Sequence, residues 1–481
     1  MAADNENGKE QKPVRAAKGT PPKLNRRDLL MGLSTVPALG LFGYAWNSQR
    51  GYQRTRAEAA ALTPAAEPGL QDINVALIGA GAQGQVLTEA MLRIPGLRIR
   101  AVCDIWTEYN QRRAVNTLKR FKHEVTGYDD YREMLDKEPA IDAVIIATPD
   151  FWHAPHTIDC LKAGKHVYCE KEMSNTLDGA RRMVLAARES GKLLQIGHQR
   201  RSNPRYIHCY DKLLGEASLL GRIVTVNGQW NRAVGPDLGA PDRYAIPDAQ
   251  LKQYGFKDMH QFRNWRWYKG LGGGPIVDLG SHQIDIYNWF LGANPSHVMA
   301  SGGLLYHDPK THEWYDTVMV VYDYDTPRGP VKAYYQTQTT NGSQGYFETF
   351  MGDQGTLLIS ESEVNYAGQL YRDTNAPAWD EWIQKGYVSA PKEQEARQPG
   401  ESSAVADVRE SVAPDQHTVP VVLRDPYHQP HLQNFFDAVR GKATLNCPAE
   451  IGYESAVTVL KVNDAIEAKT RLSFKPEDFK I

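Results

Sequence analysis

Apolar residues fall into two textures along this chain. Between residues 70 and 197, short apolar runs alternate with stretches compatible with helices; beyond 197, segments with strand character follow one another in series. The runs at 73–78, 99–103, 143–147, 165–169 and 193–196 suit buried strands, and helix-compatible stretches lie at 85–93, 108–121, 130–136, 154–163 and 177–190. Such β-α-β punctuation predicts a parallel, doubly wound sheet over 70–197. Past that boundary, β-rich segments at 223–230, 297–302, 316–323, 331–339, 346–351 and 355–359 predict an α+β domain over 198–481 with a large, mainly antiparallel sheet. Two helices, at 428–440 and 449–469, close the chain, and the Pro-, Ser-, Glu- and Gln-rich stretch 376–419 reads as an insertion loop. The expected class is α/β.

The parallel half carries a glycine turn. Gly79-Ala80-Gly81-Ala82-Gln83-Gly84 follows the first strand and opens its helix, and the next strand ends in Asp104. This is the G-x-G-x-x-G arrangement of a dinucleotide-binding Rossmann domain. Gly79 permits the tight turn, Gly81 lets the backbone approach a pyrophosphate, and Gly84 lets helix and strand pack closely. The helix N-terminus then offers N–H groups to phosphates. A carboxylate at Asp104 accepts hydrogen bonds from the adenosine ribose and repels a 2′-phosphate, which favours NAD over NADP.

Ahead of this domain, residues 1–62 hold ten Lys/Arg against five Asp/Glu. Their first part is polar and is expected to be disordered. Arg26-Arg27 then precedes an uncharged apolar run at 29–46. The pattern resembles a twin-arginine export signal, which implies the twin-arginine machinery as a partner and a periplasmic location. The same run is long enough to act as an uncleaved membrane anchor. With the leader set aside, the body is mildly acidic, and the whole chain, at a net charge of −2, gives no sign of nucleic-acid binding. The five cysteines form no C-x-x-C and sit mostly in apolar contexts, so buried thiols are expected rather than disulfides or a metal site.

Candidate chemistry gathers at strand ends, where open α/β sheets bind ligands. Thr148-Pro149-Asp150-Phe151-Trp152-His153 follows one strand, and Glu170-Lys171-Glu172 follows the next. Lys171 is placed to orient a substrate hydroxyl; the alternative is a solvated lysine paired with Glu170 or Glu172. A second cluster runs from Gly272 to Asp285. With a helix starting near Asp278, Asp278, His282 and Asp285 share one face, and carboxylates one turn either side fix the imidazole as a base. The alternative is a first-turn acid, a structural His and a surface acid. Trp265 and Arg266 suit sugar faces and hydroxyls, or else a core edge. His198-Gln199-Arg200-Arg201 follows the last strand of the first domain and is placed to enter the cleft, or else forms a basic surface turn.

Together these residues resemble the glucose–fructose oxidoreductase and inositol dehydrogenase (Gfo/Idh/MocA) family. The resemblance rests on Gly79 to Gly84, Thr148-Pro149 to His153, Ala163-Gly164-Lys165-His166-Val167 leading to Glu170-Lys171, and Gly273-Gly274 followed by Asp278, His282 and Asp285. It implies a catalytic group of Lys171, Asp278 and His282, with His282 as proton acceptor and Lys171 holding the reacting hydroxyl. Cofactor contacts then fall to Gly79, Gly81, Gln83, Gly84, Asp104, Thr148, Pro149, His153, Glu170 and Gln199, and substrate contacts to Arg201, Trp265, Arg266 and Asp285. No metal is implied. One departure is Glu172, where the family has proline, which removes a fixed φ and an easy cis bond.

The expected activity is an exported, NAD-dependent transfer of a hydride between a tightly bound cofactor and a secondary hydroxyl or ketone of a sugar, polyol or glycoside. A glycosidase working by transient oxidation and elimination is the alternative, and a non-catalytic sugar-binding protein of the same fold is a third reading. The family's large sheet implies a homo-oligomer, a dimer or a tetramer.

Overall fold

β1 (Ile73–Ile78) is buried along almost its whole length, which is why it reads as a continuous apolar run and lies inside a sheet rather than at its edge. The structure is a computed structural model that describes residues 69–362, 367–392 and 414–481. The leader at 1–62, with its arginine pair, lies outside the described residues. β1 is joined by β2 (Leu97–Cys103), β3 (Thr126–Tyr128), β4 (Ala143–Ile146), β5 (His166–Cys169) and β6 (Leu194–Ile196) in the order β3-β2-β1-β4-β5-β6, all parallel. The expected doubly wound sheet is present. β3 was not expected; it is too short to carry a hydrophobic pattern.

Local chemistry sets the helix boundaries. The Leu177–Ser190 helix falls on the expected residues because Thr176 caps it, accepting from the Gly179 N–H, and left-handed Gly191 ends it. Two helices start earlier than the pattern indicates. Ala82–Met91 begins directly after Gly81, and Asp150–Lys162 begins directly after Pro149, so Asp150 to His153 form a first helical turn rather than a loop.

The second sheet contains, among the described residues, β7 (Ile223–Asn231), β8 (Pro295–Gly303), β9 (Thr317–Thr326), β10 (Gly329–Gln338), β11 (Tyr346–Gly352), β12 (Gly355–Ile359), β13 (Gln369–Arg372), β14 (Asp415–Thr418) and β15 (Leu472–Ser473). Their order is β14-β13-β12-β11-β7-β10-β9-β8-β15, and only the β7–β10 pair is parallel. One face packs on the helices Gly280–Leu291 and Ala449–Ala468. Its tyrosines bury their rings and still satisfy their hydroxyls: Tyr322 donates to the Thr458 carbonyl at 3.1 Å and Tyr324 to Asn288 Oδ1 at 2.8 Å. The stretch 376–419 is not simply an insertion loop. It holds a helix, Asp380–Gln384, and the edge strand β14, whose polar sequence pairs along β13; residues 393–413 lie outside the described residues.

Two further features tie the molecule together. The Gln429–Val439 helix lies late in the chain, yet Leu432, Phe435 and Phe436 join the core formed by Val75, Leu77, Ile99 and Ile145 of the first sheet. Arg200 is sealed inside the second domain, where its guanidinium meets Glu348 Oε1 and approaches Glu361 at 3.6 Å. All five cysteines are buried free thiols, as expected. Among the described residues no helix is long and apolar enough to cross a membrane. Arg200→Ala leaves two carboxyls buried without their cation, and should cost about 3–5 kcal/mol by chemical denaturation. A loss under about 1 kcal/mol, as for a surface pair, would contradict this account.

Candidate active site

The glycine turn is built to hold a phosphate. Gly79 has φ +90°, and a Cβ there would lie 2.7 Å from the Ala147 carbonyl oxygen; a Cβ on Gly84 would lie 2.0 Å from the Gly79 carbonyl oxygen. Both positions therefore require glycine. A Cβ on Gly81, by contrast, would meet only Asn110 Nδ2 at 3.9 Å, so this residue faces open space. The helix from Ala82 has neither a side-chain cap nor an acid in its first turn, which leaves its N-terminus available to an anion. Asp104 stands beside the turn, accepting from the Ala80 N–H at 2.7 Å and the Trp106 N–H at 2.8 Å. Gln83 reaches from the turn to Glu170 Oε1 at 3.1 Å, linking the turn to the Lys171 loop. These residues fit a dinucleotide.

Across from the turn lie the residues expected to form the catalytic group. Lys171 donates to the Asp278 carbonyl oxygen and lies 3.3 Å from Asp278 Oδ1. Arg266 donates to the same carboxylate oxygen at 3.1 Å, and Arg232 Nη1 is 4.0 Å from the other. Burial alone would raise the Asp278 pKa, but Arg266, Lys171 and Arg232 together hold it well below the carboxylate range. His282 is buried, its Nδ1 has no hydrogen-bond partner, and its ring lies 5.3 Å from Trp230. Burial, then the charges of Lys171 and Arg200, push its pKa well down, so the ring is neutral. The Lys171–Glu172 peptide is cis.

Several expected placements differ. No single helix starts near Asp278: one short helix, Gly274–Asp278, ends there, and a second, Gly280–Leu291, carries His282 and Asp285. Asp285 does not bracket His282. It is taken by Arg201 through contacts at 2.9–3.0 Å and by Ser455 at 2.6 Å, all buried. Arg201 and Asp285 therefore form a core ion pair rather than a substrate surface. Gln199 donates to Glu361 at 3.2 and 3.3 Å, within the Arg200 cluster rather than toward the glycine turn. His153 sets both ring nitrogens 2.7 Å from backbone carbonyls, those of Glu172 and Thr148, so it ties the two loops to each other. Trp265 is buried in an aromatic cluster with Trp106 and Tyr268, under Arg266. Thr148 turns its hydroxyl to His156 Nδ1 at 3.2 Å, and Pro149 caps the following helix.

The structure adds residues that the sequence did not single out. Arg232 follows β7 with no motif around it. His428, ahead of the Gln429–Val439 helix, lies 3.3 Å from Gln83, across the whole second domain in sequence. Asp150 is buried beside Arg266 and Lys171, and burial pushes its pKa up to about 7.

Residues 73–198 match the NAD-binding Rossmann fold of the GFO_IDH_MocA oxidoreductase family, and residues 216–473 match that family's C-terminal alpha/beta domain. The chain belongs to the Gfo/Idh/MocA oxidoreductase family. Within it, an inositol 2-dehydrogenase of Rubrobacter xylanophilus is 32% identical over 200 residues, 41% of this chain and 52% of that protein. The match thus spans about half the length of that relative. A levoglucosan dehydrogenase of Pseudarthrobacter phenanthrenivorans is 26% identical over 298 residues, 60% of this chain and 69% of that protein. In fold, the chain is similar to a levoglucosan dehydrogenase in complex with NADH (TM-score 0.61, 17% identity, 84% of this chain and 100% of that one). It is also similar to an aldose-aldose oxidoreductase from Caulobacter crescentus complexed with glycerol (TM-score 0.62, 16% identity, 84% of this chain and 100% of that one).

Glu172 stands at the position where the resemblance calls for proline. It is buried; Oε1 accepts the Met173 N–H at 2.8 Å, while Oε2 has no partner. Burial, with Asp150 adding to it, raises its pKa from the ordinary 4.5 to about 8. The folded state therefore keeps a proton that the unfolded state releases, and stability from this group falls as pH rises from about 4.5 to about 8. Glu172→Gln should flatten that decline in thermal unfolding followed across pH. An unchanged slope would mean that Glu172 is ionised in the fold.

Proposed function

We propose that this protein moves a hydride between a tightly held nicotinamide dinucleotide and a secondary hydroxyl or ketone of a sugar, polyol or glycoside. The observation that carries the reading is the contact of Lys171, just past the carboxyl end of β5, with Asp278, close enough to His282 for the Lys171 charge to act on its ring, with Gln83 and Glu170 linking the Lys171 loop to the glycine turn. A bound nicotinamide supplies the hydride acceptor or donor. Gly81 and the N-terminus of the Ala82–Met91 helix would hold its pyrophosphate, and Asp104, beside the turn, would meet its adenosine ribose, which supports NAD over NADP. Lys171, fixed by Asp278, donates to the reacting oxygen. His282, with its neutral ring, takes the hydroxyl proton as the alcohol is oxidised, and returns it in reduction.

A second reading draws on Asp150. Elimination of a glycosidic bond needs an acid–base group that hydride transfer alone does not, and a carboxyl raised to about 7 beside Lys171 has the right strength. This supports a glycosidase acting by transient oxidation, which releases a sugar without net redox change. The arginine pair and apolar run of the leader support twin-arginine export to the periplasm, where a retained cofactor suits the absence of a circulating nucleotide pool. Met299 and Met319, exposed on the open face of the second sheet, support a homo-oligomer.

The protein purified without added nucleotide should show reduced-nicotinamide absorbance when its sugar is added anaerobically. Lys171→Ala and His282→Ala should each lower turnover by about 10²- to 10⁴-fold while keeping bound nucleotide. Turnover unchanged in both variants would remove this assignment.

A further inference from the structure

Asp278 is one carboxylate facing three cations. Lys171 and Arg266 are bonded to it, and Arg232 stands 4.0 Å away. The two arginines come from separate segments, one just past β7 and the other from the Trp265–Trp267 turn. They are also the open part of the group: the side chains of Arg232 and Arg266 are 51% and 45% exposed, against 9% for Lys171 and 19% for Asp278. Each guanidinium lies near an indole, Arg232 over Trp230 at 5.2 Å and Arg266 over Trp265 at 4.3 Å. A fork stacked in this way is fixed in direction before any ligand arrives.

Three cations exceed what Asp278 needs. Two other carboxyls, Asp150 and Glu170, also act on Arg266. Burial pushes both up to about 7, so near neutral pH they balance the excess only in part. Glu172, raised to about 8, contributes still less. Arg200 adds nothing at the mouth, since it is spent on Glu348 and Glu361. A neutral sugar entering here would strip water from two guanidinium groups and give them only hydroxyls. A carboxylate would give them a charge-assisted partner.

We propose that the substrate is an acidic sugar, whose anionic group is held by Arg232 and Arg266 while Lys171 and His282 address a hydroxyl of the same molecule. This deepens the oxidoreductase reading and rests on it. It also gives the surplus charge a role: a site built for an anion rejects the neutral analogue, because its cations are then left without partners.

The test uses the full-length protein carrying its nucleotide. Methyl glucuronide and methyl galacturonide are titrated against methyl glucoside and methyl galactoside, following tryptophan fluorescence, to which Trp230 beneath Arg232 contributes, and reduced-nicotinamide absorbance. An acidic sugar should bind about tenfold tighter or more than its neutral counterpart, the worth of one charge-assisted hydrogen bond. Added salt should narrow the gap. Arg232→Gln and Arg266→Gln should each weaken acidic-sugar binding more than neutral-sugar binding, and so remove most of the preference, and Arg232→Lys should restore part of it. Hexose 6-phosphates form a further arm: a gain there places the anion in a sugar phosphate, and a gain confined to the uronides places it in a carboxylate. Equal binding of acidic and neutral sugars, or variants that weaken both alike, overturns the proposal. If a neutral sugar alone reduces the cofactor, the substrate class is wrong and the oxidoreductase reading stands. If no nucleotide is bound or taken up, that reading fails as well.

Discussion

Keeping Asp278 ionised is the constraint on which the cleft depends. A carboxyl buried by itself takes up a proton; here Arg266, Lys171 and Arg232 supply enough opposing charge to prevent it. The dependence is mutual. Lys171 comes from the loop after β5, Arg266 from an aromatic turn and Arg232 from the end of β7, and the same carboxylate attracts all three. Removing it would leave three cations repelling one another, one of them almost buried. The arrangement of Lys171, Arg266 and Arg232 is thus held by charge as well as by backbone, and Asp278 serves it as a fixed negative charge rather than by exchanging a proton.

The parts of the fold legible in the sequence were those where one local signal decides the outcome. β1, β4 and the Leu177–Ser190 helix are of this kind: strands buried on both faces read as continuous apolar runs, and a capped helix ends where its cap and its glycine place it. β13, β14 and β15 were not legible, being short strands at or next to the sheet edges whose residues need to match only a neighbour's backbone. At the site, the glycine turn, Lys171, Asp278 and His282 were visible because their spacing carries information. Spacing misled for Asp285. Helical periodicity does keep it one turn from His282 on the same helix, but a buried Arg201 claims the carboxylate. Which ion pairs with which across the fold cannot be seen in one sequence. Gln199 and Trp265 were misplaced for the same reason: their partners, Glu361 and the Trp106 cluster, are remote in the chain.

His153 shows how a position can matter to the chemistry without facing it. Its ring lies between the Thr148 and Glu172 carbonyls, so the loops after β4 and β5 keep a fixed separation. Arg200 does similar work within the second domain, beneath Trp230 and Tyr346, whose rings stack at 4.4 Å. In both cases buried polar groups fix the spacing of the elements around them.

The Gln429–Val439 helix has a consequence for how the molecule is made. The ribosome delivers the nucleotide domain first, yet part of that domain's core consists of Leu432, Phe435 and Phe436. Until this late segment emerges, the part of that core which Leu432, Phe435 and Phe436 cover stays open, although Leu87, Met91 and Leu118 already pack on the rest. The glycine turn, which His428 and Gln83 connect to the same helix, likewise stays incomplete. Synthesis through this helix must therefore precede a finished nucleotide site, so a cofactor is enclosed only after the segment has emerged.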